Sequence, residues 1–189
     1  GAFNMSATNV PPLPDQLLGL LEDNLQVKED LMEFRGALEA LSCAQAALRA
    51  NAPDKEIIRN RFEEWLGIYR QKNRVSTEEL KADFKFHMSI AEASHNLVLP
   101  HFMDTVFKLL EHSLQLHLEY LDPRNENRVR LEGQHRAMMD AVLNGNAEAA
   151  KQATSEHLAT VTKAILETSI NEARYRRSSA RLKNLQRTE

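Results

Sequence analysis

The sequence predicts an all-α protein, an antiparallel bundle of about six to seven helices. Three observations carry that prediction. Six glycines and six prolines in 189 residues are too few turn formers for a strand-rich fold. Apolar residues recur at spacings of three and four along most of the chain, which is the period of an amphipathic helix. The interruptions fall on helix-stop and helix-start chemistry: Asn51-Ala52-Pro53, Ser76-Thr77-Glu78-Glu79, Leu121-Asp122-Pro123 and Asn144-Gly145-Asn146. A hydrophobic fraction of 42% and a charged fraction of 27% suit one ordinary buried core.

Taken in order, residues 1–12 are polar, end in Pro11-Pro12 and read as a linker or cloning scar. A short helix from Pro14 places Leu17, Leu18, Leu20 and Leu21 together and ends near Asp23-Asn24. The next helix, about Lys28 to Ala50, has a candidate core stripe of Leu31, Phe34, Leu38, Leu41 and Ala44 or Gln45. Arg35 and Glu39 sit i, i+4 beside that stripe, and periodicity alone reads them as a surface or intrahelical ion pair. Asp54 is a candidate N-cap for a helix to about Lys72 whose core face holds Ile57, Ile58, Phe62, Trp65, Leu66 and Tyr69. Ser76 and Glu79 have capping-box spacing and open a helix to about Ser94–Asn96. A helix from Leu97 to about Tyr120 repeats Phe102, Val106, Leu109, Leu110, Leu114 and Leu118, and its His112 and His117, five apart, read as ordinary histidines. Asn127 to Leu143 and a helix from Ala147 complete the domain, assigned to residues 13–170. Residues 171–189 form a basic tail with Arg174, Arg176, Arg177, Arg181, Lys183 and Arg187, expected to be a solvated, frayed end.

The same sequence excludes several classes of function. A net charge of −3 does not suit a chain that coats nucleic acid. No run of about 18 to 20 uncharged apolar residues exists to span a membrane, and no signal-peptide pattern opens the chain, so the expected compartment is the cytoplasm. The one cysteine, Cys43, reads as core. Phosphate-binding glycine loops, nucleophile elbows and paired-cysteine zinc patterns are absent.

The stretch Asp83-Phe84-Lys85-Phe86-His87 carries the chemistry. On a helix, Asp83 and His87 leave the same face one turn apart, where they either share one cation or form a local hydrogen bond. His135 and His157 fall on the apolar sides of two helices joined by the Gly145 turn. Each alone reads as a core histidine. Together, Asp83, His87, His135 and His157 offer three imidazoles and a carboxylate, a set suited to zinc, nickel, manganese or iron. No general base or nucleophile accompanies them.

The order Glu33-Phe34-Arg35, Leu38-Glu39, Asp83 to His87, Ile90 to Asn96, Gln134-His135-Arg136, Gly145 to Ala150 and His157-Leu158 resembles the FCD effector domain of FadR-type GntR transcription regulators. The resemblance covers about Leu17 to Glu167. It implies a usually dimeric helical bundle in which Asp83, His87, His135 and His157 hold a divalent metal, zinc first. It also implies that Arg35 faces the cavity and binds a small carboxylate effector. Within the family, Arg49-Ala50-Asn51 with Asp54-Lys55, Ile90 to Asn96 and the basic tail are most similar to the lactate- and pyruvate-responsive members. DNA would be reached only through an N-terminal winged helix outside this chain. The expected function is therefore a sensor rather than an enzyme, responding to an acid such as lactate, pyruvate or glycolate. The competing classes are a metal-dependent enzyme acting on a small 2-hydroxy or 2-oxo acid, and a metal-free structural dimer.

Overall fold

The computed structural model describes residues 19–21, 24–73, 75–120 and 126–186. Six helices follow one another: α1 Leu25–Arg49, α2 Ala52–Tyr69, α3 Ser76–Ala93, α4 Leu99–Tyr120, α5 Glu126–Leu143 and α6 Ala147–Gln186. Residues 19–21 are also helical, and no strand occurs among the described residues. The fold is an all-α helical bundle. The proposed linker, and most of the short first helix, lie outside the described residues.

Polar side chains set the helix ends. Asn24 caps α1, its Oδ1 accepting from the amides of Gln26 at 3.0 Å and Val27 at 3.3 Å. The N-cap of α2 is Asn51, not Asp54; Asp54 sits three residues into the helix and returns a bond to the Asn51 amide, with Pro53 in the first turn. Asn96 caps the start of α4 through the amides of Val98 and Leu99. Between α5 and α6 the Asn146 amide reaches back to Ala141 O at 2.9 Å, and the Gly145 amide to Val142 O at 3.1 Å. That closure puts Gly145 at φ +72°, a left-handed position natural to glycine.

The centre of the core is Ile58, Phe62, Trp65, Phe86, Ile90, Met103, Leu110, Met138 and Ile165, all buried. Helix α1 packs along α6, with small residues at the contact: Cys43, Ala46 and Ala47 on one side and Ala150, Ala153 and Thr154 on the other are all buried. The Gly36 Cα faces Leu158 so closely that an added Cβ would lie 4.0 Å from its Cδ1. Pairs α5·α6, α2·α3, α3·α4 and α1·α3 close the rest of the bundle.

Other local expectations fail as well: Ile57 and Phe102, expected on core faces, are exposed. The buried face of α1 is Met32, Arg35, Glu39, Ser42, Cys43, Ala46 and Ala47, whereas Phe34 and Leu41 from the expected core stripe are exposed. Close approach to α6 favours the small-residue strip and turns the bulky strip outward. Ser76 and Glu79 form no capping box: Val75 takes the N-cap position without a side-chain bond, and Glu79 is buried beside Arg128 at 3.7 Å. The described part of the basic tail is helical rather than frayed, since α6 runs unbroken through residue 170 to Gln186; Arg187 lies outside the described residues. Arg174, Arg176 and Arg181 bond Asn171, Glu172 and Ser178 respectively along its exposed surface.

Candidate metal and effector site

Three of the five residues singled out in the sequence, His87, His135 and His157, meet between α3, α5 and α6, with a fourth, Asp83, against His135. Ligand atoms of His87, His135 and His157 all lie within 4.8 Å of one another. His87 Nε2 is 3.2 Å from His135 Nε2, and Asp83 Oδ1 is 2.9 Å from His135 Nε2 and 3.8 Å from His87 Nε2. The fifth, Arg35 on α1, lines the same cavity as Asp83, His135 and His157.

The outer nitrogens fix the tautomers. His135 Nδ1 lies 2.9 Å from Leu131 O, an acceptor only, so that nitrogen carries the proton. His87 Nδ1 lies 2.7 Å from Glu39 Oε2, an ionic contact bent away from a straight hydrogen bond, and the carboxylate holds a proton there too. Both Nε2 atoms then present lone pairs to each other and to the Asp83 carboxylate. With neutral rings three electron-rich atoms converge, and the 2.9 Å contact from His135 Nε2 to Asp83 Oδ1 then needs either a shared cation or a proton that makes His135 an imidazolium. Burial works against imidazolium: it is the largest influence on His157, ahead of repulsion from His135 and His87, and holds its pKa well below the usual 6.5. The His157 Nδ1 is buried without a hydrogen-bond partner. Two nitrogens each about 2.0 to 2.1 Å from a tetrahedral ion lie about 3.3 to 3.4 Å apart. The 3.2 Å nitrogen separation matches, so the donor set fits a divalent metal.

A second shell braces this set. Trp65 stacks on the His135 ring with centroids 4.2 Å apart, fixing its plane. Glu39, buried to 2% exposure, accepts from Arg35 Nε at 2.5 Å through Oε1 while its Oε2 faces His87. Burial alone would raise the Glu39 carboxyl; Arg35 and then His87 outweigh it and hold the pKa at about 2. Asp83 behaves alike: burial raises it, but His87, His135 and Arg35 together bring it to about 2.

Arg35 is 1% exposed and its guanidinium lies over the Phe107 ring, 4.2 Å from the centroid. Glu39 engages Nε, while Nη1 is buried without a hydrogen-bond partner. A planar cation with an unmet donor beside a metal-type donor set suits an anion with two oxygens. The cavity between Arg35, Trp65, Asp83, His117, His135 and His157 has a volume of about 30 Å³. That is room for about two waters, tighter than an enclosed three-carbon acid requires. A more open groove of about 440 Å³ adjoins it between α3 and α4, lined by Leu80, Phe84 and Phe107 among others; Leu80 borders both spaces.

His112 is exposed and remote from the cluster, as expected, but His117 is buried and lines the cavity. Its helical phase with Leu110 and Leu114, both buried, was the available signal. Glu39 was also missed as part of the site, although its i, i+4 relation to Arg35 placed both on one face.

With this geometry in view, residues 30–160 match the FCD domain family. The chain belongs to the FCD family. Among its relatives, the FCD chain is 36% identical over 144 residues to a protein of Escherichia coli K12 named for regulation of the L-lactate dehydrogenase operon, covering 75% of this chain and 53% of the relative. It is 28% identical over 148 residues to the Glc operon transcriptional activator of the same organism, covering 78% and 58%. It is 32% identical over 151 residues to the HTH-type transcriptional regulator LutR of Bacillus subtilis 168, covering 79% and 65%. These relatives are regulators of the GntR family. The FCD chain spans between about half and two thirds of their lengths. Among the described residues no helix is long and apolar enough to cross a membrane.

Proposed function

We propose that this FCD chain is the ligand-sensing part of a bacterial transcription regulator, working in the cytoplasm as a homodimer and acting by binding rather than by catalysis. Asp83, His87, His135 and His157 hold one divalent ion, zinc before nickel, manganese or iron. Arg35 takes the carboxylate of a small acid such as lactate, pyruvate or glycolate. DNA contact comes from a domain outside these residues. The observation that carries this reading is the convergence of three buried imidazoles, with the Asp83 carboxylate against one of them, beside an arginine whose Nη1 is buried and unmet. A bound cation supplies positive charge that draws an acid's oxygen towards the donor set. Glu39 keeps the Arg35 fork aimed while neutralising part of its charge, and His117 and Trp65 bound the remaining space. Because that space admits only about two waters, the acid enters by displacing side chains along the Leu80 and Phe107 wall. The energy of that displacement biases the helix arrangement.

The test has two stages. Elemental analysis of purified protein should find one divalent ion per chain, and its absence would reduce the chain to a structural bundle. Isothermal titration of L-lactate, pyruvate and glycolate into metal-loaded protein should then show saturable 1:1 binding of at least one acid. Arg35→Lys should weaken it because the planar fork is gone. Binding by none of the three, or conversion of any of them to product, overturns the sensor reading, and conversion would favour a metal-dependent enzyme.

A further inference from the structure

Helix α1 has two working faces, and only the inner one belongs to the site. The outer face carries Leu31, Phe34, Leu38, Leu41, Gln45 and Leu48, at successive spacings of three, four, three, four and three. This is the spacing of a coiled-coil seam: Leu31 and Leu38 are half-buried against the chain's own core, while among the described residues Phe34 is left 46% exposed, Leu41 45% and Leu48 72%. Ala37 and Ala44 flank the seam with small side chains that allow a second helix to come close.

We propose that the occupant is α1 of a second copy of this chain, packed antiparallel across a two-fold axis between Leu38 and Leu41. That axis sets one register. Leu38 meets the partner's Leu41, Leu31 meets the partner's Leu48, and Phe34 meets the partner's Gln45. The same register sets Asp30 against the partner's Arg49, both exposed, so one acidic and one basic side chain pair at each end of the seam. A self-complementary patch of this kind is what a two-fold interface requires, since each contact occurs twice. Arg49 also donates to Ser94 O at 3.0 Å, so the turn before α4, with exposed Leu97 and Val98, borders one end of the seam. The interface rests on the homodimer proposed above but not on the effector. Its consequence for regulation is direct, because Arg35 and Glu39 leave the opposite face of the same helix.

Sedimentation equilibrium of the metal-loaded chain tests the seam. The wild type should be a dimer. Leu41→Glu, which places a charge at the centre of the seam but touches no site residue, should weaken association by about 30-fold or more, with helicity and metal binding unchanged. Asp30→Arg and Arg49→Asp should each weaken the dimer, and the double variant should recover it. A dimer indifferent to Leu41→Glu would refute the seam while leaving a dimer in place, whether another face pairs or residues before 19 cover this one. A monomeric wild type would refute both the seam and the dimer. Acid binding, measured separately by titration, is unaffected by either outcome.

Discussion

Glu39→Gln is the most informative single change, because Glu39 touches both the metal-type donor set and the proposed anion anchor. The wild-type carboxylate offers Oε1 to Arg35 Nε at 2.5 Å and Oε2 to His87 Nδ1 at 2.7 Å. Glutamine has the same shape but one acceptor oxygen, and its amide nitrogen must face one of two donors. Breaking one side of a buried ion pair costs about 3 kcal/mol or more, so the urea stability of the metal-free chain should fall by about that much. Loss of an outer-shell partner of a ligating histidine weakens metal by about 10- to 100-fold, which a chelator competition resolves. The two effects separate with Arg35→Met/Glu39→Met. Removing both charges restores much of the lost stability but leaves His87 Nδ1 without a carboxylate, so metal affinity stays low. Metal affinity within threefold of wild type in Glu39→Gln would refute the linkage and leave Glu39 as a partner of Arg35 alone.

His135→Ala and His157→Ala should each lower metal affinity by orders of magnitude, whereas exposed His112→Ala should leave it unchanged; equal effects in a chelator competition would break the ligand assignment. The metal-free chain should lose stability as pH falls below about 6.5, because the unfolded chain protonates His157 at its ordinary pKa while the folded chain, with that pKa lowered by burial, does not. The slope is at most about 1.4 kcal/mol per pH unit for this group, and His157→Gln should flatten it in urea midpoints taken between pH 7 and 5.5. Gly145→Ala should cost about 1 to 2 kcal/mol for an L-residue in the left-handed region; the added Cβ would meet Ala47 O at 3.5 Å, an ordinary contact, so strain rather than collision is what the urea curve reads. Burial pushes the Cys43 thiol to about 12, so it should resist thiol reagents in the native state and react only on unfolding.

The helices were legible because their interruptions are chemical: Asn51 with Pro53, and Asn144-Gly145-Asn146, stop and restart the chain by local bonding that needs no tertiary context. The approach of His87, His135 and His157 to one another was legible because each lies on an inward helical phase. The burial phase of α1 was not, since its bulky strip and its small strip are neighbours. Only the fit against α6, with Ala150, Ala153 and Thr154 opposite, selects the strip that contains Arg35 and Glu39. Glu79 misled for a related reason. Its capping-box spacing is a local preference that the buried contact with Arg128 overrides. His117 lacked a partner at ligand spacing in the sequence, and its place at the cavity comes from α4 packing against α1, α3 and α6.

Helix α6 is long enough to act as a lever. Its forty residues, Ala147–Gln186, extend about 60 Å, and residues beyond about 170 are largely exposed. His157 holds the helix near its start, in contact with α3 and α5 through the ring pairs with His87 and His135. The helix stays packed past that point through Val161 and Ile165, and the arm beyond residue 170 is about 24 Å, so a tilt of about 5° there carries the arginine-rich end through about 2 Å. A shift too small to alter the packing of the core thus reappears, amplified, at the far end of the chain.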